Sequence, residues 1–152
     1  MLNIKRILMP IDFSEPGKTA LMYAIAFADQ FAAAVDLLHV VEPVPANALL
    51  SYQPMEVLKQ SMRSDAEQQM EELHSEWADY AFPVNRIIVD GFPFVEIIKH
   101  AKASNADMIV MGTHGRGAFT HMLMGSVAEK VVRKAPCPVL TVRHPEHEFV
   151  HP

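Results

Sequence analysis

The stretch IKRILMPIDFSEPGKTALMYAIAFADQFAAAVDLLHVV, residues 4–41, decides the fold class. Ile4 to Ile11 is an apolar run bounded by a polar turn, the pattern of a buried strand. From Ser14 to Phe31 the apolar residues recur at helical spacing. Leu21, Ile25 and Ala28 share one face, with Ala24 and Phe31 beside them. Ser14 or Asp12 can cap this helix, and Pro16 suits its first turn. Val35 to Val41 is a second strand, apolar at nearly every position, closed by Glu42-Pro43-Val44-Pro45. Near-continuous apolar strands joined by helices predict a parallel sheet covered on both faces.

The remaining sequence repeats this alternation. Pro43 to Pro54 reads as a loop. A long amphipathic helix follows from about Met55 to Tyr80, with Met55, Leu58, Met62, Ala66, Met70, Leu73, Trp77 and Tyr80 as its apolar stripe. Val84 to Val89 is a third strand, ended by Asp90-Gly91. Phe94 to Ala103 is a short helix with Val95, Ile97 and Ile98 apolar. Asp107 to Met111 is a fourth strand, a helix runs from about Ser126 to Lys134, and Pro138 to Val142 is the fifth strand. Right-handed crossovers then give a doubly wound α/β sandwich, an open five-stranded parallel sheet with helices on both faces. No repeat, low-complexity segment or domain boundary interrupts the pattern, so residues 1–152 read as a single domain. The tail from His144 to Pro152 reads as frayed.

Composition narrows the function classes. Half of the 152 residues are hydrophobic and a fifth are charged, which excludes a disordered segment. A net charge of −5 argues against sequence-independent binding of nucleic acid, which draws its affinity from clustered positive charge. The single cysteine, Cys137, can form neither an internal disulfide nor a Cys-rich metal site, and this fits a reducing compartment. No apolar run approaches the roughly 18 residues of a membrane span. The apolar stretch near the N-terminus is short and broken by Pro10 and Asp12, unlike a signal peptide. The expectation is a soluble, cytoplasmic domain.

Chemistry concentrates in one loop. Met111-Gly112-Thr113-His114-Gly115-Arg116-Gly117 leaves the carboxyl end of the fourth strand, and Met124-Gly125-Ser126-Val127 enters the last helix. Ligands of open α/β sheets bind at that end of the strands. The N–H groups of Ser126 and Val127 open a helix and can hold an anion, helped by the helix dipole. Arg116 and His114 add donors nearby, and a phosphate is the natural ligand. The alternative is a plain turn-forming loop in which Ser126 caps the helix, since Ser126-x-x-Glu129 is a capping box.

The spacing Gly112-x2-Gly115-x9-Gly125-Ser126 resembles, without a mismatch, the signature of the nucleotide-binding branch of the universal stress protein family. Ile7-Leu8-Met9-Pro10-Ile11-Asp12-Phe13-Ser14-Glu15 is similar to that family's first strand and turn, and Leu37-Leu38-His39-Val40 to its second strand. Gly125 to Val131, followed by Pro136-Cys137-Pro138-Val139-Leu140, is similar to its last helix and strand. The resemblance runs from residue 4 to about 143. It implies a sheet order of 3-2-1-4-5, like that of the adenine nucleotide alpha hydrolases. It also implies an adenine nucleotide (ATP, or ADP or AMP) bound with Mg²⁺ or Mn²⁺. Pro10, Asp12 and Val40 would hold the adenine and ribose, Met111 and Gly112 would line the nucleoside, and Gly115, Gly125, Ser126 and Val127 would hold the phosphates. His114 and Arg116 occupy variable positions within the signature. The resemblance further implies a homodimer in which the last strand, about Cys137 to Val142, pairs with its twofold mate. At this length the sequence matches one unit of the family, so a pair of units needs a second copy.

Other motifs read as structural. Asp12-x4-Gly17-Lys18-Thr19 imitates a P-loop, but Pro16 removes a donor and Asp12 puts a carboxylate where phosphate would approach. Lys18 and Thr19 are then solvated residues of the first helical turn. A dinucleotide-binding glycine pattern fails at Thr120. His144, His147 and His151 have ligand-like spacing but lie in a polar tail. His39 is read as a hydrogen-bonded strand residue, and Cys137 as a small buried apolar one. The ten methionines are read as core packing, with a partner surface as the alternative.

No general base stands out: the sequence offers no supported Ser/His/Asp order and no paired carboxylates at a recognisable site. The reading is therefore a nucleotide-binding regulatory or stress-response module with at most slow hydrolysis. The alternatives are an ATPase or nucleotide-transferring enzyme that uses His114, Arg116 and Asp12 for positioning and charge, and a dimeric protein-interaction domain with no nucleotide.

Overall fold

The computed structural model describes residues 2–44, 54–75, 80–113 and 124–143. Its elements are β1 (Arg6–Pro10), α1 (Glu15–Phe31), β2 (Ala34–Val41), α2 (Met55–Ser75), β3 (Val84–Asp90), α3 (Pro93–Ala103), β4 (Met108–Gly112), α4 (Ser126–Lys134) and β5 (Val139–Val142). All strand pairs are parallel and the sheet order is β3-β2-β1-β4-β5. This is the doubly wound α/β sandwich expected from the alternating periods, in the order implied by the resemblance.

Strand alternation splits the core between the two faces of the sheet. Ile7 and Met9 of β1, Val35 and Leu37 of β2, and Val110 of β4 pack against Leu21, Ala24, Ala66 and Met70 of α1 and α2. Leu8, Leu38, Val40, Ile109 and Met111 point the other way, onto Ile97 and Ala101 of α3 and Ala128 and Val131 of α4. Each fully buried Leu, Ile or Met contributes about 1.5–3 kcal/mol of transfer free energy.

Element ends differ from the apolar pattern where side chains replace the ladder. β1 starts at Arg6 although Ile4 is buried. The Asp107 carboxylate takes the N–H groups of Lys5 and Arg6, at 2.8 and 3.0 Å, in place of a neighbouring strand. On α2 the expected stripe is buried at Ala66, Met70 and Leu73, but Met55 is 45% exposed and Val57 is exposed beside it. Trp77 lies outside the described residues. The methionines accordingly divide: Met9, Met70 and Met111 are core, whereas Met22 and Met55 are exposed. On α3, Val95 is exposed while Ile97 carries the packing. Cys137 is only partly buried, not fully as expected, and packs at the margin of the α3–α4 core.

The turn from β1 into α1 is built from four residues. Ser14 is the N-cap and its Oγ accepts from Gly17 N at 3.2 Å. Asp12 Oδ1 in turn accepts from Ser14 N at 3.0 Å. Phe13 takes φ 62°, an uncommon left-handed conformation for a bulky residue. Gly17 and Lys18 are already helical, and Lys18 pairs with Glu15, so this segment does not cradle phosphate as a P-loop does.

The N-terminus of α1 rests directly on the end of β4. A Cβ on Gly112 would sit 3.0 Å from both the carbonyl carbon and the carbonyl oxygen of Pro16. Backbone on both sides leaves nothing flexible to yield. Gly112→Ala is therefore expected to cost about 1–3 kcal/mol, the usual range for forced overpacking. Urea unfolding measures it, and an unchanged midpoint would contradict this close approach.

Candidate functional site

The carboxyl ends of β1, β2 and β4 and the start of α4 enclose a cleft of about 610 Å³. It lies where β1 and β4 are neighbours and the backbone leaves them toward opposite faces of the sheet, the topological switch point of such folds. Every described member of the expected site lines it: Pro10, Asp12, Val40, Met111, Gly112, Gly125, Ser126 and Val127. His114, Gly115 and Arg116 lie outside the described residues, as do His144, His147 and His151.

The start of α4 opens onto the cleft. Gly125 N donates to the Thr113 carbonyl at 2.6 Å, and Thr113 N donates to Val142 O at 2.9 Å. The beginning of α4 is thereby tied to the end of β4. The N-cap is Gly125, with no hydrogen bond from a capping side group. This corrects the capping-box alternative: Ser126 is the first helical residue, not the cap, so its hydroxyl does not occupy the helix start. Gly125 has φ −71°, which any residue adopts. What glycine supplies here is the absence of a side chain between the cleft and the first N–H groups of a nine-residue helix.

The walls of the cleft are largely apolar, with Val40, Ile97, Met111 and Ala128 among them. Such walls with a few convergent polar groups are typical of small-molecule sites. Three carboxylates, Asp12, Glu42 and Asp65, line it, and no Lys or Arg does so among the described residues. Among those residues no group of three or more His, Cys, Asp or Glu side chains could hold a metal ion.

The motif reading missed several lining residues. The Phe13 ring lies against the His39 ring, with centroids 4.6 Å apart. His39 Nδ1 donates to Ile11 O at 2.7 Å, as a hydrogen-bonded strand residue should, but the residue also faces the cleft. Met62, Asp65 and Gln69 of α2 form another wall. Met62 was read only as part of the apolar stripe, and Asp65 and Gln69 are a polar pair one turn apart beside it. Cys137 lies outside the cleft lining, and burial together with the Asp107 charge pushes its thiol up, away from the reactive thiolate.

The model of the universal stress protein family matches residues 3–143. Universal stress protein MJ0577 of Methanocaldococcus jannaschii is 37% identical over 153 residues, covering 91% of this chain and 94% of the relative. A solved structure of MJ0577 superposes with a TM-score of 0.85 at 36% identity, covering 95% of this chain and 99% of that one. Universal stress protein UspA from Lactobacillus plantarum gives 0.83 at 25% identity, covering 94% and 100%. A family member from Arabidopsis thaliana, solved with AMP bound, gives 0.66 at 18% identity over 93% of each sequence, a likeness of fold alone. With the family model spanning both ends of the sheet, and this cleft at its switch point, the chain belongs to the universal stress protein family.

Proposed function

We propose that this protein binds an adenine nucleotide, ATP in the first instance, and acts through occupancy of the cleft as a stress-response module of the family's ATP-binding branch. The observation that carries the reading is the uncapped start of α4, a glycine N-cap opening onto a cleft of nucleotide size. The phosphates belong on Gly125, Ser126 and Val127, with Gly115, His114 and Arg116 of the same signature beside them. The base and sugar belong over Pro10, Asp12 and Val40, with Met111 and Gly112 along the nucleoside. A distant protein of the same fold is described with AMP bound, which supports an adenine nucleotide as the ligand class.

Asp12, Glu42 and Asp65 add negative charge to the lining, and Mg²⁺ or Mn²⁺ bound with the nucleotide would offset the charge of a triphosphate. The cation would travel with the phosphates, not on a protein cage. We also propose one family unit in residues 1–152, paired through β5. The two sheet edges differ in the expected sense. β3 carries Asn85, Arg86 and Asp90, whereas β5 reads Val-Leu-Thr-Val with no charge to discourage pairing.

Thermal unfolding tests the ligand. At about 100 times Kd a ligand adds about 2.7 kcal/mol to the native state, and Tm should rise by roughly 5–10 °C. ATP with Mg²⁺ should give that shift, ATP with EDTA a much smaller one, and AMP a shift that does not depend on metal. No shift at millimolar ATP with Mg²⁺ defeats the nucleotide reading.

A further inference from the structure

The two helical layers carry opposite charge. α1 and α2 hold Lys18, Lys59 and Arg63 against seven carboxylates, a net of −4, in line with the −5 of the whole chain. α3 and α4 hold Lys99, Lys102, Lys130, Arg133 and Lys134 against Glu96 and Glu129, a net of +3. Lys99 pairs with Glu96 at 3.4 Å and Arg133 with Glu129 at 3.0 Å. Lys102, Lys130 and Lys134 have no carboxylate within salt-bridge reach among the described residues. They gather on one seam, where α3 and α4 pack side by side. Lys130 and Lys134 reach across from α4 to α3, and their Nζ atoms lie 4.9 and 5.8 Å from the centre of the Phe94 ring. The ring attracts each ammonium through its quadrupole but adds no negative charge, so two like charges converge there uncompensated. Ile98 stands one turn beyond Phe94 and Lys102 one turn beyond Ile98. Val95, 43% exposed, borders them.

We propose that the α3–α4 seam docks a short acidic segment of a partner protein, one with apolar side chains among its carboxylates. The carboxylates pair with Lys102, Lys130 and Lys134, and the apolar groups cover Phe94, Ile98 and Val95. Charge complementarity sets the sign of the partner, and the number of free cations sets its kind. Lys102, Lys130 and Lys134 are fewer than the roughly four to eight cations that hold a basic surface on an anionic membrane. They also fall short of the roughly six to ten phosphate contacts of a strongly salt-dependent duplex binder. A segment of a few residues matches the seam and stays clear of the acidic layer on the other face of the sheet. None of these seam residues lines the cleft, so the assignment stands apart from the nucleotide reading.

Fluorescence anisotropy tests it with a fluorescein-labelled peptide of Asp and Glu that carries one Phe and one Leu, titrated with the whole chain. A second peptide has Asn and Gln in place of Asp and Glu. Saturable binding of the acidic peptide is expected. Lys130→Gln/Lys134→Gln should weaken it about 5- to 20-fold, the loss of two exposed ion pairs. Raising NaCl from about 50 to about 500 mM should weaken it as well, because exposed charges are screened. Lys130 and Lys134 are exposed, so the double substitution leaves the fold intact, and an unchanged Tm checks this. Lys18→Gln/Lys59→Gln, on the acidic layer, should keep the affinity within about twofold. No saturable binding at millimolar peptide overturns the proposal. So does equal binding of the Asn/Gln peptide, or full affinity in Lys130→Gln/Lys134→Gln. Tighter lysine-dependent binding to phosphatidylserine vesicles or to duplex DNA than to the acidic peptide gives the seam to another class of partner and overturns it too.

Discussion

Gly125→Asp is expected to abolish nucleotide binding and leave the fold as stable as before or more so. The substitution supplies the missing N-cap of α4. An Asp cap in place of Gly adds a few tenths of a kcal/mol, and a carboxylate at the positive end of a helix adds about 0.3–1 kcal/mol. The backbone allows it, since φ at this position is −71°. The same carboxylate would accept the N–H groups proposed for the phosphate and set like charge against it. Juxtaposed like charges cost several kcal/mol, so affinity for ATP should fall more than about 100-fold. Gly125→Asn separates the contributions. It caps the helix without the charge and should lose less affinity. Titration and urea unfolding on the same samples read both effects. Retained ATP affinity in Gly125→Asp would remove α4 from the site, and a large loss of stability would mean that Gly125 serves the fold.

The second large effect concerns stability, at the other end of the sheet. Asp36 is 1% exposed on the α3 face of β2. Its carboxylate accepts from Asn85 Nδ2 at 2.8 Å, from Arg6 at 3.1 Å to each oxygen, and from His100 Nε2 at 3.3 Å. Burial pushes its pKa up, but the hydrogen bonds from Asn85, Arg6 and His100 and the Arg6 charge outweigh burial. The group is held below its ordinary value of 3.8. Asp36→Ala leaves those donors facing a void and should cost about 2–4 kcal/mol at pH 7. The sign of the pH dependence follows from a depressed carboxylate. The stabilisation is complete above the unfolded pKa, near pH 4, and is lost as pH falls through the lower folded value. The gap between wild type and Asp36→Ala should therefore narrow below pH 4. A cost under 1 kcal/mol at pH 7, or a gap that widens in acid, would contradict this assignment.

The fold was legible because the central strands β1, β2 and β4 are buried on both faces and read as largely apolar runs, while the helices read at a different period. α4 begins and ends at the residues the pattern indicates, since Ser126 and Lys134 bound a clean amphipathic run. The cleft was legible only where glycines and turns mark it. Asp36 looked like a break in an apolar strand, and nothing local reveals that Arg6, Asn85 and His100 converge on it from three other elements. Asp65 and Gln69 share their residue types with the solvated face of α2. Only the packing of that helix over β2 and β3 turns them toward the cleft. Phe13 gave no sign of its left-handed backbone. Long-range contact and backbone conformation are the two things a pattern of residue types does not carry.

Phosphate held on the backbone N–H groups at the start of α4 is the feature on which the proposed function stands. Amide chemical shifts of uniformly ¹⁵N-labelled protein, followed through a titration with ATP and Mg²⁺, test it most directly. Saturable shifts are expected, largest at Gly125, Ser126 and Val127, with a second group at Val40 and Val41 from the base end. Saturable binding whose shifts leave residues 125–127 unmoved, or no shifts at millimolar nucleotide, would contradict it.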